Sequence, residues 1–324
     1  MNQFNETKVE VFIKHGDTIY LPVVVGEITV EWTRFAAPGQ MKLTVMKDDV
    51  LKFEEGDTVR LKINDEKFFF GFLFTYERKD DDRYQLTCYD ALRYLKSKDI
   101  FKMKKMTYTK ALKKACKRYG LKMGTIANTK YVRKAKVFTG TVYDMLENYR
   151  KKTKQSTGNQ FILYADWNQI CLKKQSAMKT DYVIEAEVAK EYSYQSSIDD
   201  GVYTVVKLYK KKGKKTKVYS KTLKAAKKKY GRLTYVNSTK LKKKSKIKKK
   251  LKKIAEAHDT PRKKLSFTGV FGITEIRAGS GVTVRLNAVG MSLNKNMTVH
   301  KVTHRFADGV HTMDLTVIGG DYHA

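Results

Sequence analysis

The stretch 53-FEEGDTVRLKINDEKFFFGFLF-74 decides the fold. Thr58–Ile63 and Lys67–Phe74 are β-branched and aromatic runs of strand length, separated by Asn64-Asp65-Glu66 and preceded by the turn Glu54-Glu55-Gly56-Asp57. Alternation of this kind, bounded by Gly, Asn and Asp, reads as antiparallel strands joined by tight turns. The same rhythm extends outward. VEVFI, YLPVVV, ITVEW, MKLTVM and YQLTCY recur from Lys8 to about Leu95, with HGD, APGQ and KDDD between them. That spacing predicts a small barrel or sandwich over residues 1–100.

From Thr107 the period changes. Tyr108, Ala111, Leu112, Ala115, Cys116 and Tyr119 fall on one helical face and Gly120 stops it; Val142, Met145, Leu146 and Tyr149 form a second face behind a cap at Thr141 and Asp144. FILYADWNQICLKK then reads as a hairpin turning at 166–168. Residues 101–178 are therefore an α+β middle domain. The β pattern returns in 179–212 and 262–324, the expected second barrel domain, where Asp308-Gly309 is a hairpin turn. Between them, 213–261 reads as a lysine-rich helical insertion with helices over 219–231 and 241–258, the latter ended by Pro261. The fold class is α+β, mainly β, with two small antiparallel β-barrel domains and helical material between them.

The two β regions share an echo. Thr58-Val59-Arg60-Leu61 follows Gly56, and Thr283-Val284-Arg285-Leu286 follows Gly279 and Gly281. A tetrapeptide alone proves little, but its matched setting suggests two related barrels.

Composition bounds the function. The 324 residues carry a formal net charge of +34, yet 41% are hydrophobic, so most of the chain folds. The charge is regional: residues 1–100 hold 15 Lys/Arg against 18 Asp/Glu, whereas 207–264 hold 26 against 2. The start, MNQFNETKVEV, has no signal-peptide pattern and no apolar run reaches membrane-span length, which predicts a soluble protein made and folded in cytoplasm without membrane insertion. Cys88, Cys116 and Cys171 lack CxxC spacing and are expected as buried small hydrophobes.

No catalytic, cofactor or metal residues emerge. Gly213-Lys214-Lys215-Thr216 lacks the upstream glycine of a phosphate loop, and neither GxSxG nor HExxH occurs. A wall hydrolase would need side chains that meet only in space. His300, His304 and His311 with Asp308 and Asp314 invite a metal reading, but His300 and His304 lie four apart on one strand, about 13 Å, too far to share an ion, so structural histidines are expected.

The helix expected at 241–258 buries Ile247, Leu251 and Ile254 on a narrow stripe. Its five like-charge i,i+4 lysine pairs cost about 1–2.5 kcal/mol. Three buried aliphatics at roughly 1.5–3 kcal/mol each offset that without a partner. Lys242, Lys246, Lys249, Lys250 and Lys253 form a basic face open to three readings: a solvated surface, an acidic protein partner, or a polyanion such as DNA or a cell-wall polymer. Zinc-finger spacing and RNA-binding signatures are absent, which excludes a sequence-specific nucleic-acid reader.

Three stretches together resemble the XkdQ-like baseplate hub proteins of contractile phage tails and defective prophages: Ile28–Trp32 with Arg34–Leu43, Phe53–Leu61 with Phe69–Phe72, and His304–Leu315. The resemblance implies a non-enzymatic structural protein without cofactors, in a phage tail or tail-like bacteriocin. It implies a homotrimer presenting six similar barrels between the sixfold tail tube and the threefold central spike, with the tape measure and other baseplate proteins as neighbours. It makes Trp32, Pro38, Gly39, Gly56, Asp57, Gly71, Gly279, His304, Phe306, Asp308 and Gly309 fold-setting, and turns the basic face toward an acidic neighbour. The lysine-rich 207–264 fits the family pattern least.

Overall fold

The computed structural model describes residues 6–35, 37–79, 82–199, 201–213, 215–241, 243–288 and 291–319. The chain divides into two compact units, one of residues 1–192 with 266–324 and one of 193–265.

The larger unit begins with seven strands: β1 (Val9–His15), β2 (Thr18–Tyr20), β3 (Val24–Thr33), β4 (Gln40–Met46), β5 (Thr58–Ile63), β6 (Glu66–Arg78) and β7 (Arg83–Tyr89). They form where the sequence alternates, and Val59, Leu61 and Ile63 of β5 turn inward against Val11 and Ile13 of β1. Asn64 and Asp65 take positive φ at the β5–β6 turn, a conformation Asn and Asp tolerate better than most residues. The pairing order is β2-β1-β5-β6-β7-β4-β3, and all these ladders are antiparallel.

The order does not stop at β3. Its free edge pairs with the strand Met291–Ala307 from Thr33↔Lys301 to Ile28↔Phe306, and that strand continues to Val310–Ile318. Among the described residues the path stays open rather than closing into rings. The two β regions expected as separate barrels therefore share one hydrogen-bonded ladder. The second region is not purely antiparallel either: Lys179–Glu185 runs parallel to Gly281–Ala288, because the chain reaches it by a long crossover rather than a hairpin.

The echo is real but shifted. Gly56 N donates to Leu73 O and Leu73 N donates to Asp57 O, both 2.8 Å; Gly279 N donates to Val299 O and Val299 N donates to Ser280 O, again both 2.8 Å. Glu54 N donates to Asp57 Oδ2 as Arg277 N does to Ser280 Oγ. Gly56 and Gly279 both have φ near +100°, where glycine alone is comfortable. The geometry thus pairs Gly56 with Gly279, whereas the Thr-Val-Arg-Leu match lies two residues further along the second strand.

The middle of the chain holds α1 (Tyr108–Arg118) and α2 (Val142–Thr157), whose apolar faces pack with the hairpin Phe161–Asp166/Gln169–Lys174. Thr107 and Thr141 cap the helices through Lys110 N and Asp144 N, and Gly158 ends α2 in the left-handed region. All three cysteines are buried and unpaired, as their spacing suggests.

The smaller unit differs from an all-helical insertion. Val205–Lys212 pairs antiparallel with Lys215–Thr222 and parallel with Thr234–Ser238, and two helices follow the last two of these pairings in sequence as α3 (Lys224–Tyr230) and α4 (Lys244–Glu256). Val206 and Leu208 on the sheet meet Ile247, Leu251 and Ala255 of α4, with Tyr219 and Tyr235 packed against them. Residues 219–222, expected as helix, are strand because Tyr219 supplies this sheet face while its neighbours face out. α4 ends at Glu256, before Pro261. No helix among the described residues is long and apolar enough to cross a membrane.

Candidate functional site

The sequence-selected residues gather at two places in the larger unit. At the first, Trp32 lies next to the end of β3 and Pro38-Gly39 lie in the loop that follows. Gly39 N donates to Asp90 Oδ2 at 2.7 Å, and Asp90 N returns a bond to Gly39 O at 2.9 Å. Asp90 also caps the 3₁₀ turn Ala91–Lys96 by accepting from Leu92 N. A Cβ on Gly39 would sit 2.5 Å from Trp32 Nε1 and 2.6 Å from Asp90 Oδ2, so the approach itself demands glycine. Burial raises the Asp90 carboxyl to about 7, opposed by the two backbone N–H groups and by Arg277.

Arg277 joins this node to the middle of the chain. Its Nη2 donates to Ala165 O at 2.6 Å, and its guanidinium lies 4.2 Å from the Tyr164 ring and 5.3 Å from Trp32. Two residues later, Gly279 packs against Ile162 and Met178, where a side chain would be tight. Gly71 is similarly confined on β6, between the Phe69 ring and Tyr89 O.

The second place lies where the two β regions join. His304 is fully buried. Its Nε2 is 2.9 Å from Ile276 O and its Nδ1 is 2.9 Å from His311 Nε2. A carbonyl only accepts, so His304 carries its proton on Nε2 and takes a hydrogen bond from His311 on Nδ1. Burial holds His304 down at about 3 and His311 at about 4. Phe68 stands edge-on to Trp32, His304 and Phe306 at 5.0–5.3 Å, and Phe306 stacks on His311 at 4.3 Å. At the hairpin tip, Asp308 and Gly309 both take positive φ, and Gly309 O accepts from Thr7 N.

Asp90, Arg277 and Phe68 were not singled out from sequence, and His311 was weighed there only as a metal ligand. The contacts that give Asp90, Arg277 and Phe68 their roles, with Gly39, Ala165 and the Trp32–His304 pair, are far along the chain, so no local spacing could reveal them. His15, Glu54 and Asp57 form the group among the described residues whose ligand atoms could surround a cation. However, Asp57 Oδ2 already accepts from Glu54 N and contacts His15 Nδ1 at 2.9 Å, which accounts for the arrangement as a turn lock.

The basic face lies in the smaller unit. Lys246, Lys249, Lys250 and Lys253 are exposed on α4, opposite and beside the buried Ile247–Leu251 stripe. Lys242 lies outside the described residues.

This fold is one that prophage tail proteins share. Its structure superposes on the 43 kDa tail protein of prophage MuSo2 from Shewanella oneidensis with a TM-score of 0.70 at 14% identity, covering 97% of this chain and all of that one. The chain belongs to the YqbQ-like family, whose model matches residues 28–318. It is 27% identical to YqbQ of Bacillus subtilis over 326 residues, covering 96% of each chain. It is also 26% identical to XkdQ of the phage-like element PBSX from the same organism, covering 96% of this chain and 97% of that one.

Proposed function

We propose that this chain is a structural hub subunit of a contractile phage tail or tail-like particle. In this reading it assembles as a homotrimer and joins the tail tube to the central spike, with no catalytic step of its own. The observation that carries this is the repeated glycine turn: Gly56-Asp57 and Gly279-Ser280 make the same set of backbone bonds in two β regions of one ladder. Two similar β modules per chain let a threefold assembly present six near-equivalent contacts to a sixfold partner. Membership of the YqbQ-like family and kinship with a protein of a phage-like element support the same reading. Trp32, Gly39, His304 and Phe306 then act by fixing the two modules against each other, Gly71 by packing the first of them, and the hairpin at Asp308-Gly309 by anchoring the start of β1.

Copy number tests the proposal. Quantitative mass spectrometry of purified particles should give three copies of this chain per six of each tube ring. Light scattering of any isolated assembly should give three times the 37.4 kDa chain mass. Six copies per particle, or a stable dimer, would overturn it.

A further inference from the structure

We infer that the smaller unit, residues 193–265, is a sequence-independent docking surface for duplex DNA. The inference rests on this unit alone and stands whether or not the chain is a hub.

The unit has its own core, so its charge is not needed to hold it together. Ile247, Leu251 and Ala255 seal α4 onto Val206 and Leu208, and the lysines are left pointing outward. They are exposed on several elements: Lys215 and Lys217 on the hairpin, Lys227–Lys229 on α3, and Lys246, Lys249, Lys250 and Lys253 on α4. Residues 193–265 hold 26 Lys/Arg against Asp199, Asp200, Glu256 and Asp259, a net +22.

The type of cation narrows the partner. Of the 26, Arg232 and Arg262 alone are arginines. Protein interfaces are enriched in Arg and depleted in Lys, because the planar fork pairs with carboxylates while lysine is a mobile point charge. A lysine surface spread over three elements suits a dense, delocalised field of phosphates. The aromatic rings point the same way. Tyr203, Tyr219 and Tyr235 pack on the unit's own core and Tyr209 and Tyr230 are half-buried, so Tyr194 is the one exposed ring among the unit's described residues, too few for a row of stacked bases. Recognition would run through the phosphate backbone, without sequence preference.

Charge density selects the duplex. A compact unit of this length is about 30 Å across, from a radius of gyration of about 11 Å. That length of duplex carries roughly 18 phosphates at one per 1.7 Å, close to the +22, whereas a single phosphate chain offers about half as many.

The test uses the full chain and fluorescence anisotropy on two 30-base-pair duplexes of unrelated sequence, from 50 to 300 mM KCl. Both duplexes should bind equally, with affinity falling steeply as salt rises. The joint variant Lys246→Gln, Lys249→Gln, Lys250→Gln, Lys253→Gln should flatten log K against log salt by about 3.6, so that between 50 and 200 mM the native chain loses about 150-fold more affinity than the variant. These side chains are exposed, and an unchanged unfolding midpoint would show the variant folded. A control with the same four charges removed from the larger unit, at Lys42, Lys52, Lys67 and Lys98, should keep the native slope. Absence of binding at 50 mM, or equal slopes for native chain and α4 variant, would overturn the inference. Displacement of the duplex by polyglutamate or poly(glycerol phosphate) as effectively as by unlabelled duplex would also overturn it, and would assign the face to an acidic protein or a wall polymer.

Discussion

At the scale of single residues, the larger unit turns on groups whose burial fixes their chemistry. Gly39 has no room for a methyl group between Trp32 and Asp90, so Gly39→Ala should cost about 1–3 kcal/mol of unfolding free energy, read by urea titration. The histidine pair makes stability depend on pH. Below an ordinary value of 6.5 the unfolded chain protonates both rings, while the folded chain refuses the protons until about 4 and about 3. Each ring therefore makes stability fall with acidification by about 1.4 kcal/mol per pH unit in that window. Asp90 acts in the opposite sense, because folded Asp90 keeps its proton up to about 7 while the unfolded carboxyl loses it above 3.8. Two against one leaves a decline of about 1.4 kcal/mol per unit between pH 6.5 and 4, and Asp90→Asn should steepen it to about 2.8. An Asp90→Asn variant with an unchanged slope would show that the carboxyl does not hold its proton when folded.

At the scale of elements, the sequence was most informative where one side chain in two had to be buried. β5 and β6 follow from their alternation, and α1 and α2 from their caps and apolar stripes. The ladder between β3 and Met291–Ala307 left no such mark, because backbone pairing between distant strands has no periodicity of its own. The duplicated turn was visible only approximately: Thr-Val-Arg-Leu drew the eye two residues away from the glycines that match in space. Lys215–Thr222 was obscured by its lysines, which have little strand preference and hide the inward Tyr219. The site residues divide the same way. Trp32, Gly39 and His304 stood out within family-like stretches, whereas Asp90 and Arg277 acquire their role only through contacts made in three dimensions. For α4, stability should follow the buried stripe rather than the lysines. Leu251→Ala should destabilise the smaller unit by about 2–5 kcal/mol, seen as faster amide exchange in Val205–Lys212, while Lys249→Gln should leave exchange there unchanged.

At the scale of the whole molecule, the continuous ladder has a consequence for how the chain is made. β3 is completed on one side by β4, a short loop away, but on the other by a strand that begins near residue 291. During synthesis the edge of β3 therefore stays open until the chain has grown past residue 306, and the Trp32–Phe68 cluster lacks His304 and Phe306 for as long. Long-range closure of this kind is slow and leaves an exposed edge while it waits. Chains truncated before residue 291 should aggregate, and those extended past 318 should remain in solution, as measured by sedimentation of stalled translation products. Completion of the sheet then works as a check that synthesis has passed residue 318, so that a copy halted earlier is withheld from any assembly it would otherwise spoil.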